Sequence, residues 1–349
     1  MKIQKAELTQ KLNKIKGVIP RKATIPALQG ILVMEGYLIA NNTEMTIKAK
    51  IEGAEGEFFI IPERAIDLIN NLPEGEIDIS ASAKNTITIK LDKIKNKYQT
   101  LDPEQFPVAV MQETGTEMEI RADILLESMK RVSYAVPAQG SNVIMSSMCL
   151  HAGGGRLDFV GLDGHVLAWD QIAYDGEFEL LIPKNTADRL KSLGLSGKVK
   201  IKHSKAGAVF ITDEFEIYTR LIEGEYFKYQ AMFKELPLHV FASRMELLEA
   251  MIRAKMCAEE RCPVRFELHG NKLDLKIKDK MTEYHETLEL QEEIAEPLTI
   301  GFDARLVIET LKAFDSSNID IYFESPKMPM IIENRDNDFK AIVLPVAIV

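Results

Sequence analysis

The pattern of apolar and polar residues repeats three times along the chain. The recurring segments are centred on the pairs Ile69/Leu72, Leu190/Leu193 and Leu311/Phe314. The step from Ile69 to Leu190 equals the step from Leu190 to Leu311. Self-similarity at a fixed long period indicates an internal repeat, in which each copy forms one structural unit. The sequence therefore predicts three similar modules, at residues 1–116, 117–235 and 236–349.

Each repeat opens with a predicted amphipathic helix, and the segments named above form a second one. Apolar residues at positions i, i+4 and i+7 mark the first helix of each repeat: Leu8, Leu12 and Ile15, then Leu125, Met129 and Val132, then Leu247, Met251 and Ala254. That spacing places each trio on one side of a helix, which is expected to face a core.

Strict alternation of apolar residues after the second helix predicts two strands in every repeat. The apolar pairs are Ile77/Ile79, Val199/Ile201 and Ile319/Ile321, followed by Ile87/Ile89, Val209/Ile211 and Met330/Ile332. A period of two buries one face of a strand. We expect two helices and about eight strands per module, with helices on one face of antiparallel sheets, and hence an α+β fold. Phe106 and Phe227 occupy equivalent places, where a strand leads into a connector between modules.

Composition agrees with an ordinary globular protein of two or three domains. Of its 349 residues, 46% are hydrophobic and 28% are charged. This length exceeds the usual size of a domain with a single hydrophobic core. The first eighteen residues lack the apolar core of a signal peptide, and no apolar run reaches the roughly 18 residues that span a bilayer. The sequence therefore predicts a cytoplasmic protein.

The cysteines indicate free thiols rather than a metal site. Cys149, Cys257 and Cys262 are odd in number, and no second Cys or His pair stands at zinc-ligand spacing. We expect buried or half-buried thiols in a reducing compartment, with no metal and no cofactor.

A formal net charge of -10 argues against a surface that grips phosphates everywhere. It allows a local basic lining, because the distribution of charge matters more than its sum. Several predicted helices carry basic residues on the side opposite the apolar trio or beside it. A solvated helix face remains the other interpretation of these residues.

Two short motifs resemble catalytic loops but have a structural explanation. In LDGHVLA, residues 162–168, Asp163 and His165 lack a nucleophile or third partner, whereas Asp163-Gly164 is a common hairpin turn. HAGGGRL, residues 151–157, lacks the Gly-Lys-Ser/Thr ending of a phosphate loop and leads into a strand-like segment. The sequence predicts no catalytic residue.

Taken together, the threefold repeat, LDGHVLA, the connector LDPEQFP and the terminal IVLPVAIV resemble the bacterial DNA polymerase III beta subunit over essentially the whole chain. The resemblance implies three DNA-clamp modules per chain and a head-to-tail homodimer that forms a ring, with helices lining the hole. It implies a sliding clamp that encircles double-stranded DNA without sequence preference and confers processivity on the replicative polymerase. Its other partners would be the clamp loader and further proteins with a clamp-binding motif.

The resemblance also implies three groups of functional residues. Those expected to face DNA are Lys14, Lys22, Lys130, Gln139, Lys184, Arg189, Arg253 and Lys312. A cleft for partner peptides between modules two and three would comprise Leu162, Gly164, His165, Leu167, Leu306, Val343, Leu344, Pro345 and Val346. The dimer interface would place Lys97 and Tyr98 of one copy against Met256, Glu283 and Glu286 of the other.

Three positions depart from the family pattern. Val166 and Ala347 stand where the family has Arg, and Asn142 stands where a cleft Arg is often found. We therefore expect a cleft that is less basic and more apolar than usual. Two other interpretations stay open: a protein-interaction scaffold that kept the modules without a ring, and an enzyme on the repeated scaffold.

Overall fold

The computed structural model describes residues 1–82, 85–109, 116–140, 142–257, 262–278 and 282–348. Within these residues the chain forms six α-helices: α1 (Lys5–Ile15), α2 (Glu63–Asn71), α3 (Ala122–Val132), α4 (Lys184–Leu193), α5 (Arg244–Met256) and α6 (Ala304–Ala313). They occur in pairs, one pair per repeat, as the sequence predicts. The apolar trios of α1, α3 and α5 are all buried.

Among its described residues, the first repeat contains eight strands: β1 (Lys2–Gln4), β2 (Gly30–Met34), β3 (Tyr37–Asn41), β4 (Met45–Lys50), β5 (Phe58–Pro62), β6 (Glu76–Ser82), β7 (Thr86–Leu91) and β8 (Ile94–Gln99). The described part of the second also contains eight: β9 (Thr116–Arg121), β10 (Ser147–Gly153), β11 (Arg156–Leu162), β12 (Val166–Ala173), β13 (Phe178–Pro183), β14 (Lys198–His203), β15 (Gly207–Ile211) and β16 (Phe215–Arg220).

The third repeat has fewer and longer strands among its described residues: β17 (Leu238–Ser243), β18 (Val264–Lys278), β19 (Glu283–Phe302), β20 (Asn318–Phe323), β21 (Met330–Asn334) and β22 (Lys340–Val343). β18 and β19 pair along most of their length, with register shifts on either side of Gly270. Extended structure therefore continues where the other repeats have separate strands, and the expected eight strands become six.

All strand pairs are antiparallel, and two of the sheets draw strands from two repeats. One eight-stranded sheet has the order β5-β2-β3-β4-β16-β15-β14-β9, and the other has β13-β10-β11-β12-β22-β21-β20-β17. A four-stranded sheet, β1-β6-β7-β8, and the two-stranded β18-β19 complete the set. The fold class is α+β, as the sequence predicts.

The chain forms two compact units that do not follow the repeats. Unit 1 comprises residues 1–125 and 188–221, and unit 2 comprises residues 126–187 and 222–349. In unit 1, α1 and α2 pack on each other, and α1 contacts β3 and β4. In unit 2, α5 and α6 pack on each other, and α6 contacts β22. In both units, helices pack against sheet strands and supply the buried core.

Both connectors between repeats are built into the core. Phe106, after the 3-10 helix Pro103–Gln105, is buried with Leu28, Leu32 and Ile60 in unit 1. In unit 2 the connector forms the 3-10 helix Tyr229–Met232, and Tyr226 and Tyr229 are buried against β11 and β12. Phe227, predicted as the equivalent of Phe106, is only partly buried there.

Burial confirms most predicted strand faces and corrects one. The predicted pairs on β6, β7, β14, β20 and β21 are buried, whereas on β15 Val209 and Ile211 are half-buried and Phe210 is fully buried. Phe210 pairs with Ile201 and Ile217, which are both core residues. The segment AVFI is apolar throughout, so its alternation cannot identify the inner face.

Cysteine burial agrees with the prediction: Cys149 is buried, and Cys257 and Cys262 are half-buried free thiols. Among the described residues, no helix combines the length and the apolar character that crossing a membrane requires.

Candidate functional site

The segment LDGHVLA forms the hairpin turn between β11 and β12. Asp163 Oδ1 accepts hydrogen bonds from the backbone N–H groups of His165 and Val166, both at 2.8 Å. Gly164 has φ +87°, a left-handed conformation that glycine adopts without strain. The Asp163 carboxylate therefore shapes the turn, and the His165 side chain is exposed beside it. Gly154 and Gly155 form the similar turn between β10 and β11.

The C-terminal strand β22 pairs with β12 and extends this surface. Leu167 is paired with Ile342, and Val166 is paired with Val343. Directly paired residues lie on the same face of a sheet, so Leu167 and Val343 lie on opposite faces. Leu162, Leu167 and Ile342 belong to one buried apolar cluster, together with residues of the connector. The predicted grouping of Val343 with Leu167 is thus corrected: Ile342 takes that place, and Val343 faces the helix side.

The sequence prediction missed several residues of this cluster, which we call the cleft cluster. It also contains Trp169, Tyr229 and Leu236, and the partly buried Met145 and Phe233 pack against it. A Cβ atom added at Gly164 would lie 3.5 Å from the Met145 methyl carbon, so the 142–146 segment adjoins the turn. The aromatic run YFKYQAMF, residues 226–233, was the available signal.

The residues after β22, Leu344–Ile348, belong to no helix or strand and are here called the tail. The Leu344 N–H donates to the His165 carbonyl at 2.9 Å, and the Val346 N–H donates to the Gly301 carbonyl at 2.9 Å. Leu344 is 38% exposed, and Pro345 and Val346 are half-buried. Leu306 is buried near the start of α6, where Asp303 caps the helix by accepting from the N–H groups of Arg305 and Leu306.

A buried carboxylate fixes the connector to the sheet. Asp158, on β11, is 1% exposed and accepts hydrogen bonds from the Tyr229 hydroxyl and, at 2.8 Å, from Gln171 Nε2. His151 Nδ1 lies 3.0 Å from the same hydroxyl. Burial, and then the hydrogen bond to Asp158, raise the pKa of Tyr229. The Tyr229 hydroxyl is therefore the donor that joins the connector to this carboxylate.

The eight residues expected to face DNA differ in accessibility. Lys22, Lys130, Gln139, Arg253 and Lys312 are exposed. Lys14, Lys184 and Arg189 are half-buried. Of the exposed set, Lys22, Lys130 and Lys312 make no ion pair within 4.0 Å in the part of the chain that the structure describes.

Three of the basic groups are already engaged by protein atoms. Lys184 Nζ donates to the Ser133 carbonyl at 3.0 Å and lies 3.1 Å from the Ser133 hydroxyl. Arg253 makes a bidentate ion pair with Glu286, at 3.0 Å from Nε and 2.6 Å from Nη2. Lys14 Nζ lies over the Phe215 ring at 5.2 Å from its centroid.

A groove of about 330 Å³ lies between α3 and α6 within unit 2. Lys130 and Lys312 line it, with Tyr134 and Phe314 among its apolar residues. Arg131 also lines it, but its guanidinium contacts Glu127, the buried Asp170 and Asp315 at 2.9, 3.2 and 2.7 Å. The two lysines are therefore the free cations of this groove among the described residues.

The five residues expected at a dimer interface lie at two sheet edges and one helix end. Lys97 and Tyr98 are on β8, the last strand of its sheet. Glu283 and Glu286 are on β19, and Met256 ends α5 with 80% of its surface exposed. Glu286 is held by Arg253 and by the Tyr284 hydroxyl, and the Arg253 side chain is the first cause that lowers the pKa of Glu286.

Known proteins of one family resemble this chain over nearly its whole length. The family model for the DNA polymerase III beta subunit, N-terminal domain, matches residues 1–111, and the model for its C-terminal domain matches residues 232–347. The curated beta sliding clamp of Pseudomonas aeruginosa is 23% identical, with 98% of each chain covered. The beta sliding clamp of Streptococcus pneumoniae serotype 4 is 22% identical, with 99% of this chain and 98% of the relative covered.

Solved structures give the same result at the level of the fold. The DNA polymerase III subunit beta from Pseudomonas aeruginosa superposes with a TM-score of 0.92 at 22% identity, covering 100% of both chains. The beta subunit from Streptococcus pyogenes gives 0.90 at 22% identity, covering 99% of both. The two family models together match well over half of this sequence. The chain belongs to the DNA polymerase III beta subunit family.

Proposed function

We propose that this protein is a sliding clamp that acts in the cytoplasm without catalysis. Two copies close a ring around duplex DNA, and a peptide cleft in unit 2 tethers the replicative polymerase, the clamp loader and other partners. The modules are taken as residues 1–116, 117–235 and 236–349.

Strand pairing between repeats is the observation that carries the proposal. β4 of the first repeat pairs with β16 of the second, and β12 of the second pairs with β22 of the third. Continuing the series leaves β8 of the first repeat and β19 of the third for a contact with another copy. A contact that joins two different surfaces gives a closed ring when the rotation closes, and two three-module chains complete a series of six modules.

The charges on these two strands support that contact. At the β4–β16 junction, Lys48 Nζ lies 3.1 Å from Glu216 Oε2, and at the β12–β22 junction, Lys340 Nζ lies 4.7 Å from the centre of the Trp169 ring. Each attraction joins directly paired residues. β8 exposes Lys95 and Lys97, whereas β19 exposes Glu283 and Glu289. Opposite charges on the two free edges favour pairing of β8 with β19 over pairing of like strands.

The net charge of -10 fits a protein that holds DNA by topology rather than by strong phosphate binding. We expect light scattering to give a dimer, twice 39.3 kDa. Protein loaded by its clamp loader should stay on nicked circular DNA and leave linear duplex by sliding off the ends. A monomer at micromolar concentration would favour the non-ring scaffold, and equal retention on both DNAs would contradict encirclement.

The cleft is tested by removing part of its wall. Deleting residues 345–349 should weaken binding of a fluorescein-labelled peptide, taken from the clamp-binding motif of the replicative polymerase encoded in the same genome. We expect a loss of tenfold or more by fluorescence polarisation, because a few apolar anchors carry most such affinity. His165→Ala should weaken binding less. The matched control, Met245→Ser, alters an exposed methionine on α5 and should leave affinity unchanged. Unchanged affinity in the truncation would place the partners elsewhere.

A further inference from the structure

The tail lies against one residue of β19 that has no side chain. Gly301 pairs with Arg265 on β18, and its carbonyl accepts the Val346 N–H at 2.9 Å. A Cβ atom added at Gly301 would lie 2.7 Å from Ile348 Cγ1 and 2.9 Å from the Val346 carbonyl oxygen. Both distances are shorter than real Cβ atoms tolerate, and one of them involves backbone, which cannot rotate away.

The backbone of β19 does not itself require glycine at this position. Gly301 has no left-handed φ, unlike Gly164 or Gly270. In a strand interior glycine weakens pairing, and it often marks a place where another backbone approaches closely. The tail is that backbone. The absence of a side chain at Gly301 therefore serves the tail rather than β19.

Backbone hydrogen bonds attach the described tail to the rest of unit 2. Its first residue, Leu344, is bonded to His165 at the turn, and Val346 is bonded to Gly301. Beyond Gly301, Ile348 borders a surface pocket of about 660 Å³ formed mainly by β18 and β19. Between the two hydrogen bonds the chain presents Leu344, Pro345 and Val346, the residues proposed as a wall of the cleft. Contact at Gly301 thus fixes the far end of that wall.

We propose that Gly301 is a positioning residue for the partner-peptide cleft. Because Gly301 has no side chain, the tail can pack against it, and this contact orders Leu344, Pro345 and Val346 as one wall of the cleft before a peptide binds. This inference rests on the proposed peptide-docking function. A preformed wall avoids the entropy cost of ordering the tail when a peptide binds. Gly301 itself does not contact the peptide.

The test is Gly301→Val, which suits a strand but excludes the tail. Peptide affinity should fall tenfold or more, to the level of the 345–349 deletion. Combining the two changes should cause no further loss, because the substitution acts only through the tail; this non-additivity is what a general destabilisation would not produce. The matched control is Gly153→Ala on β10, where an added Cβ would meet nothing closer than His151 Nε2 at 3.7 Å.

A second measurement separates this inference from the docking function itself. Hydrogen exchange at the Val346 amide should become faster in Gly301→Val, while amides of α6 stay protected. If the Val346 amide stays protected from hydrogen exchange in the variant, the proposal that Gly301 holds the tail is wrong. A released tail with unchanged peptide affinity would overturn the positioning role and leave docking intact. Failure of the unaltered protein to bind the peptide would instead contradict the proposed function.

Discussion

Two tyrosines in the same connector are buried to a similar extent, but within the described chain only one of their hydroxyl groups makes a hydrogen bond. Tyr226 is 5% exposed and Tyr229 is 3% exposed. Tyr229 donates to the buried Asp158 carboxylate, whereas the Tyr226 hydroxyl has no hydrogen-bond partner among the described residues. Removing one partner of a buried charged group leaves the other unsatisfied, while removing an unpaired hydroxyl loses no bond.

Tyr229→Phe should therefore lower the free energy of unfolding by about 1–3 kcal/mol. Tyr226→Phe, the matched change three residues away, should alter it by less than about 0.5 kcal/mol or raise it slightly. Urea unfolding followed by circular dichroism compares the two. Equal losses would mean that the Asp158 contact contributes nothing beyond packing.

Single residues are also where sequence reasoning reached its limit. The turn at Asp163-Gly164 was predictable because Asp and Gly have local backbone preferences that favour turns. The choice between Ile342 and Val343 was not, since IVLPV is apolar throughout and a slip of one residue exchanges the faces. The ion pair of Arg253 with Glu286 joins α5 to β19, and the local sequence of neither segment indicates this long-range contact.

At the scale of elements, a charged cluster in unit 2 links β17 and β20 to Arg335, which directly follows β21. Asp320 on β20 accepts two hydrogen bonds from Arg335, at 2.6 and 2.9 Å, and lies 2.7 Å from His239 Nε2 on β17. Arg335 also lies over the Phe241 ring, and Glu292 and Tyr322 are close to the group. The hydrogen bonds from Arg335 are the first cause that lowers the pKa of Asp320.

A carboxyl whose pKa is lower in the folded than in the unfolded state adds stability above its unfolded pKa, and this is lost as pH falls through the folded pKa. Arg335→Met should therefore lower the melting temperature at pH 7, and the difference from the unaltered protein should become smaller at about pH 2, because acid protonates Asp320 and removes the contribution of its ion pair. Thermal scans at the two pH values measure this. Lys327→Met, which removes an exposed charge, is the control. A difference of the same size at low pH would assign the loss to the Phe241 contact.

The helices could be predicted from the sequence, whereas the pairing of strands between repeats could not. Six helices followed from apolar spacing, because the period of 3.6 residues is a local signal. The pairing of β4 with β16 and of β12 with β22 joins residues far apart in sequence. Such partners depend on tertiary packing, so the repeat indicated that modules exist but not which strands would be shared.

For the whole molecule, the cations expected to meet a DNA duplex differ in whether a carboxylate already pairs with them. Lys130 and Lys312 line one groove and have no ion pair among the described residues, whereas Arg253 is neutralised by Glu286. An ion pair at the site of binding must be broken before its cation can replace a counterion on DNA. We therefore separate Arg253 from the two lysines in the proposed lining.

The salt dependence of binding to a short duplex tests this separation. Each phosphate contact contributes about 0.9 to the slope of log affinity against log salt, so Lys130→Ala with Lys312→Ala should reduce the slope by about 2. Arg253→Ala should change it by about 0. A reduction of about 1 with Arg253→Ala would return this residue to the DNA-facing set.

Because strand pairs join neighbouring repeats, we do not expect a single repeat to be stable when it is isolated from the others. A fragment cut at residue 235 separates β12 from β22, and each strand is left with an unpaired backbone edge of the kind that promotes aggregation. The same holds for β4 and β16 when the first repeat is removed. Although the three copies resemble one another, deleting one of them from the gene should leave a protein with such an unpaired strand edge.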